Sequence, residues 1–364
     1  MDDLDLLVLG DCNPDLVLRG GDLRPRFGQA EQLVDEARLV VGGSGAIMAC
    51  GAARLGLRTA LVGVVGDDAL GRWLLDQLAG RGVDVGGCVV DPARPTGLTV
   101  VLSEPGDRAI LTAVGTIAAL RAEDVDPERR RAARHLHASS YYLQAALRPG
   151  LAGLFREARR DGRGTSLDPN WDPAGAWDAG LHALLPYTDC LLPNGEEAVR
   201  IAAALPRPED SFTAAAGAAG RPEVPHAAGA SGRLGEPGTA ARPGPAGVEA
   251  AAAALAAAGP LVAVKLGADG AVAAAPGGRG PVRASVPAAA TAAVADTTGA
   301  GDSFDAGFLF GHLAGWPLER TLAFACACGA LSTRAAGGTA AQPTLDEALR
   351  ALGAAGAPTG PGGD

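Results

Sequence analysis

Apolar runs of strand length and helix-period patterns alternate along the chain from its start. Residues Leu4–Leu9, 39–41 and 59–65 are such runs, while 44–55 and the stretch after Asp67-Asp68 read as helices, which is β-α-β order. In the second helix Leu70, Trp73, Leu74 and Leu78 fall at i, i+3, i+4 and i+8, and Gly82 supplies the stop, so one face is expected to be buried. Between residues 87 and 115 the period shortens to two. Leu98, Val100 and Leu102 alternate with Thr99, Val101 and Ser103, Glu104-Pro105-Gly106-Asp107 makes a turn, and 108–114 returns. This predicts a half-exposed antiparallel hairpin, placed to serve as a lid or an interface. Strand runs resume at 135–138, Gly164–Leu167, 189–192 and Leu261–Lys265 with helices between. The expected fold class is α/β, with a large, doubly wound, mostly parallel sheet flanked by helices.

Composition alters this picture at two places. From 207 to 249 the chain is Ala, Gly and Pro with almost no large apolar residue, so it cannot offset its ordering entropy and reads as a disordered insertion. Residues 353–364 read as a disordered tail, which leaves 1–352 as one domain. A net charge of −10, with no basic stripe interleaved with aromatics, excludes nucleic acid as a partner. The one basic run, Arg129 to Arg131 with Arg134, reads as the solvated face of a helix. The first residues are acidic, and no stretch offers 18 strongly apolar residues, so neither a secretory signal nor a membrane span is expected and the cytoplasm is the default location. Cysteines 12, 50, 88, 190, 326 and 328 form no C-x-x-C pair and read as small buried hydrophobes. The histidines, 135, 137, 182, 226 and 312, show no metal spacing. Lys265, the only lysine, lies inside a strand pattern and receives no catalytic role.

The most specific chemistry lies in Asp296-Thr297-Thr298-Gly299-Ala300-Gly301-Asp302-Ser303-Phe304, just before a helix in which Phe304 and Phe308 share a face. Small residues at a helix start let backbone N–H groups point at an anion, and the helix dipole adds positive potential there. Asp302 is then too acidic to bind phosphate itself but can accept a proton from an attacking hydroxyl. For an isolated G-x-G-D the bland alternative is a Gly-rich helix start with Asp302 as a cap. A second stretch, Gly42-Gly43-Ser44-Gly45-Ala46, opens a helix and allows a substrate close to the backbone. It fails as a dinucleotide fingerprint, because the third glycine would be Met48 and no ribose-binding acid follows. A nicotinamide-dependent oxidoreductase would explain the glycines but not Asp302, Asn194 or Glu197.

With these residues in view, the sequence resembles the ribokinase-like carbohydrate kinases, the PfkB family, over nearly its whole length. The resemblance rests on five motifs in family order: the Gly-Gly pair at 42, Gly66-Asp67-Asp68-Ala69-Leu70-Gly71, Asn194-Gly195-Glu196-Glu197, the strand and turn 264–270, and 296–302. It implies a ribokinase-like fold whose lid is built from about 12–38 and 87–115, and Mg-ATP-dependent phosphoryl transfer to a hydroxymethyl group of a sugar or sugar-like molecule. Asp302 would be the general base, with Gly299, Ala300, Gly301 and Asp302 supplying the N–H anion hole. Asn194 and Glu197 would hold Mg²⁺ through water, and Gly267 and Gly270 would let adenine and ribose lie against a turn. Asn13 and Asp15, with Gly42 and Gly43, would contact the sugar. Asp296, the Thr298 carbonyl and carbonyls of the 335–338 loop would hold a monovalent cation, K⁺. The lid would close over the sugar and offer a face for a homodimer.

Two positions depart from the pattern. Ile47 stands where ribokinase-type members have a sugar-binding Asn, and Cys326 stands where they have an Asn beside the adenine. Asp168-Pro169-Asn170 resembles a strand-end segment of sugar-kinase members, and either polar residue could face the cleft. A nucleoside kinase of the same family, or a weakly active sugar or nucleoside sensor, are the alternatives that remain.

Overall fold

Alternation within Leu4–Leu9 (β1) decides the architecture. Leu6 and Val8 belong to one apolar core and Leu7 and Leu9 to another, so the strand is covered on both faces. The structure, a computed structural model, describes residues 4–104, 107–206, 243–278, 280–287, 290 and 294–354. After β1 come β2 (Asn13–Arg19), β3 (Glu36–Gly42), α1 (Ser44–Arg54), β4 (Thr59–Val62), β5 (Val64–Gly66), α2 (Ala69–Ala79), β6 (Val83–Asp84) and β7 (Val89–Asp91). The middle of the chain forms β8 (Leu98–Glu104), β9 (Asp107–Ala113), α3 (Pro127–Ala132), β10 (Ala133–Ala138), α4 (Arg148–Arg160), β11 (Gly164–Leu167), α5 (Leu181–Leu184), β12 (Cys190–Leu191) and α6 (Gly195–Ala204). Then follow α7 (Pro245–Ala257), β13 (Leu261–Lys265), β14 (Ala271–Ala274), β15 (Val282–Ala284), α8 (Ala300–Leu313), α9 (Leu318–Ser332) and α10 (Leu345–Ala354).

The main sheet runs β15-β14-β13-β12-β11-β10-β1-β4-β6 and is parallel except at β13-β14-β15. One core contains residues of α1, α2, α8, α9 and α10, the other residues of α4, α5, α6 and α7, so helices cover both faces as expected of a doubly wound fold. The small sheet has the order β3-β2-β8-β9. It is antiparallel within each hairpin, and the hairpins lie side by side through a parallel β2–β8 pair, because the whole β4–β7 excursion separates them in the chain.

Several boundaries differ from the sequence reading. Residues 39–41 belong to β3 in the small sheet rather than to the main one, paired along their length with β2. The run 59–65 breaks at Gly63, where a Cβ would lie 2.6 Å from the Cys12 sulfur, and β5 leaves to pair with β7. The lid hairpin therefore starts at Leu98 rather than 87, and its other half extends to Gly42. The insertion read as disordered reaches too far, since Pro245 opens α7 and Val248 is buried; its part from 207 to 242 lies outside the described residues. Likewise 353–354 finish α10, and the rest of the expected tail lies outside. The basic run is not wholly solvated: Arg130 is buried and pairs with Glu157 of α4 at 2.9 Å. His135 and His137 are core residues, both bonded to the Ser166 hydroxyl, and His226 lies outside the described residues.

Candidate active site

Two helix starts meet at the centre of the molecule. Helix α8 begins after Gly299, whose φ of 74° suits glycine; a Cβ there would lie 2.7 Å from the Gly338 Cα and 2.9 Å from Ile47 Cγ2. First-turn N–H groups of a helix lack intrahelical acceptors. The Ala300 N–H turns back to the Thr297 carbonyl at 3.2 Å, so the donors left for an anion are those of Gly299, Gly301 and Asp302. Ala300 thus shapes the turn rather than adding a donor, a difference from the expected set of four. Helix α1 starts at Ser44, where the buried Asp11 carboxylate accepts the N–H groups of Ser44 at 3.2 Å and Gly45 at 3.0 Å.

Asp302 is buried at this junction. Burial and then the charge of Asp168 push its carboxyl up to about 8; Asp11 adds to the rise, while Lys265 and the Ser44 hydroxyl oppose it. Asp168, Asp302 and Asp305 bring carboxylate oxygens within 4.8 Å of one another. Lys265 Nζ lies 3.0 Å from Asp305 and 3.3 Å from Asp168. Burial works against the ammonium, but the charges of Asp168 and Asp305 outweigh it and keep it protonated. A Cβ on Gly301 would meet Lys265 Nζ at 3.7 Å, so the ammonium lies against the anion-hole turn. Lys265, given no role from sequence, is therefore the central cation of the site. It balances Asp168 and Asp305 and leaves Asp302 as the acid without an ion-pair partner among the described residues.

On the lid side, Asp15 is buried, with Asn13 Nδ2 donating to its carboxylate at 2.9 Å and to Thr99 Oγ1 at 3.2 Å. Burial and then Asp11 raise Asp15 to about 7, against hydrogen bonds from Asn13 and Thr99 and the charge of Arg108. The charge of Asp11 raises both Asp15 and Asp302. Gly42 is required because a Cβ would collide with the Asp15 carboxylate at 2.0 Å, and Gly43 because its φ is 83°. Asn170, at φ 57°, donates to Ser140 Oγ at 3.0 Å and is held by its own N–H on Asp168. Ile47 is buried against Gly299 and Gly338, so the departure from Asn is a packing contact beneath the anion-hole turn.

Beside Lys265 and the start of α8 a cavity of about 360 Å³ is lined by Lys265, Gly267, Gly270, Thr297, Gly301 and Cys326, among others. Gly267 has open space where a Cβ would stand, while at Gly270 a Cβ would lie 2.1 Å from the Ala284 carbonyl, so Gly270 is fixed by its turn. Asn194 caps α6 and accepts from Glu196 and Glu197 N–H, and Glu197 accepts in return from Asn194 N at 2.8 Å and Nδ2 at 2.6 Å. Burial and then Asp168 push Glu197 up to about 7. A buried, under-neutralised carboxylate of this kind fits a hydrated divalent cation nearby.

The second expected ion, K⁺, behaves differently. Asp296 Oδ1 accepts from Thr298 N at 2.9 Å and Oγ1 at 2.8 Å, and Oδ2 accepts from Gly337 N at 2.9 Å. Arg19 of β2 completes the set at 3.3 Å, and Arg108 of β9 donates to Thr298 Oγ1 at 3.1 Å. Burial would raise Asp296, but these donors and the guanidinium hold it below the usual carboxylate range. The carboxylate assigned to K⁺ already carries a cation, so the residues present do not fit a free monovalent ion there. Among the residues missed from sequence, Asp305 was signalled by its i+3 spacing from Asp302, and Asp11 by its place at the end of the first strand run, two residues before Asn13. Nothing local marked Arg19.

A helix N-terminus and buried acids at the strand ends of an α/β sheet, beside a small second sheet, make a crevice able to hold an anion. A sequence model of the pfkB family carbohydrate kinases matches residues 3–345, and the chain belongs to that family. It is 30% identical to an ATP-dependent ribose-1-phosphate kinase of Halopiger xanaduensis, over 94% of this chain and 95% of that protein. It is 32% identical to a fructokinase of Klebsiella pneumoniae, over 95% and 98%. A candidate ribokinase II of Escherichia coli, solved with ATP and Mg²⁺, shares the fold with a TM-score of 0.73, covering 96% of this chain and 99% of that one at 22% identity. The protein is a sugar kinase. Among the described residues no helix is long and apolar enough to cross a membrane.

Proposed function

We propose that the chain transfers the γ-phosphoryl group of ATP to a hydroxymethyl group of a sugar or sugar-like acceptor, with Asp302 as proton acceptor. The observation that carries this reading is the position of Asp302: buried, without an ion-pair partner among the described residues, raised to about 8, and in the first turn of α8. A base whose pKa lies near the working pH combines a useful deprotonated fraction with a strong pull on the hydroxyl proton. The sugar lies between Asp302 and the lid, where Asp15 and Asn13 bind its hydroxyls, and Gly42 and Gly43 let the strand end pass close behind those two side chains. The N–H groups of Gly299, Gly301 and Asp302 stabilise charge on the transferring group, and Lys265 adds positive potential beneath them. The nucleotide occupies the cavity beside Gly267 and Gly270. Mg²⁺, held through water by Asn194 and Glu197, neutralises phosphate charge when bound. The test is coupled ADP release over pentoses, hexoses, sugar acids, sugar phosphates and nucleosides with Mg-ATP. A sugar or sugar derivative is expected to give turnover that disappears with EDTA. Turnover only with nucleosides would replace the acceptor class, and binding without ADP release would favour a sensor.

A further inference from the structure

Asp296 ties the anion-hole turn to the 335–338 loop, since it accepts from Thr298 on one side and from Gly337 on the other. Its charge partner is Arg19, whose Nη2 lies 3.3 Å away. Among the described residues the buried Arg19 Nε has no hydrogen-bond acceptor, so the guanidinium is held there by the Asp296 charge rather than by a wider network. A free monovalent cation beside Asp296 would meet a like charge already in contact with the carboxylate.

We propose that Arg19 is a positioning residue: a tethered guanidinium that takes the place of the monovalent cation, orients the turn through Asp296, and makes the enzyme independent of K⁺. This rests on the kinase reading above. Strand geometry gives the arrangement a second consequence. Arg19 pairs with Ser103 and Ser103 with Arg108, so both arginines stand in one row on the lid face that also carries Asp15. Asp15 and Arg19 are four residues apart on β2, about 13 Å along a strand. One rigid strand thus spans the sugar contact and the anion-hole loop, and lid closure sets both together.

The experiment compares wild type, Arg19→Ala, Arg19→Met and Arg19→Lys in potassium and in tetramethylammonium chloride at equal ionic strength. Wild-type kcat is expected to agree between the salts within about twofold. Arg19→Ala and Arg19→Met should fall about tenfold or more in tetramethylammonium, the order of a lost electrostatic contact at an oxyanion site, and recover several-fold in K⁺. Arg19→Lys should restore independence of the salt. The second readout needs no turnover: K⁺ or Tl⁺ should raise the melting temperature of Arg19→Ala and leave wild type unmoved. Wild type that needs K⁺ for activity and melts higher with it overturns the proposal, as does an Arg19→Ala protein indifferent to the cation in both readouts. If no acceptor yields ADP in any salt, the kinase reading fails, and the melting experiment still decides the role of Arg19.

Discussion

Asp302 and Lys265 share one buried cluster with opposite legibility. Asp302 was readable because its chemistry is written into a contiguous motif. Lys265 was not, because its partners Asp168 and Asp305 come from β11's end and the second turn of α8, and only the fold brings them within 3.3 Å. Removing the ammonium leaves two buried carboxylates without a cation, so Lys265→Met should destabilise the protein by about 3–5 kcal/mol, read as a lower urea midpoint. A midpoint within error of wild type would show that the cluster is hydrated and weakly coupled. Asp302 predicts two pH effects. Its folded pKa is about 8 against 3.8 in the unfolded chain, so the folded state keeps the proton longer and the stability this group contributes is lost as pH rises between those values. Asp302→Asn should therefore raise the melting temperature by a few degrees at pH 8 and by less near pH 4. In the active enzyme, kcat/KM should rise tenfold per pH unit and level off near pH 8, since that ratio reports the free enzyme. A flat profile from pH 6 to 9 would remove Asp302 as the titrating base.

At the scale of elements, periodicity located α1, α2, β11 and β13 closely, because each lies against a core that imposes its period. It misplaced β3 and merged β4 with β5. Strands of the lid and of the main sheet have the same local pattern, and only long-range pairing separates them. The same pairing exposes a feature hidden in the alternation. Leu39, Leu16, Val100 and Leu111 form one row across the outer face of the lid, and Ala37, Leu18, Leu102 and Ala109 form the next. Leu39 and Leu111 are 39% and 58% exposed, too apolar a face for a sheet left bare. Two copies pairing through it is the expected outcome. Light scattering should give a dimer for wild type and a monomer for Leu111→Glu; a monomeric wild type would leave the lid as a cover alone.

Over the chain as a whole, the expected α/β architecture was legible, because strand runs and helix patterns alternate in β-α-β order. What those patterns could not convey was charge balance: the buried acids Asp11, Asp15, Asp302, Asp305 and Glu197 are all raised. Such a site is stabilised by its ligands more than by itself. In the proposed reaction Asp302 takes the acceptor's proton. The direct measurement is kcat of Asp302→Asn with the best acceptor, beside Ser303→Ala as a neighbour outside the chemistry. The account predicts a loss of about 10²–10⁴-fold with Mg-ATP affinity unchanged or slightly improved, and a far smaller loss for Ser303→Ala. An Asp302→Asn enzyme turning over near the wild-type rate would contradict it.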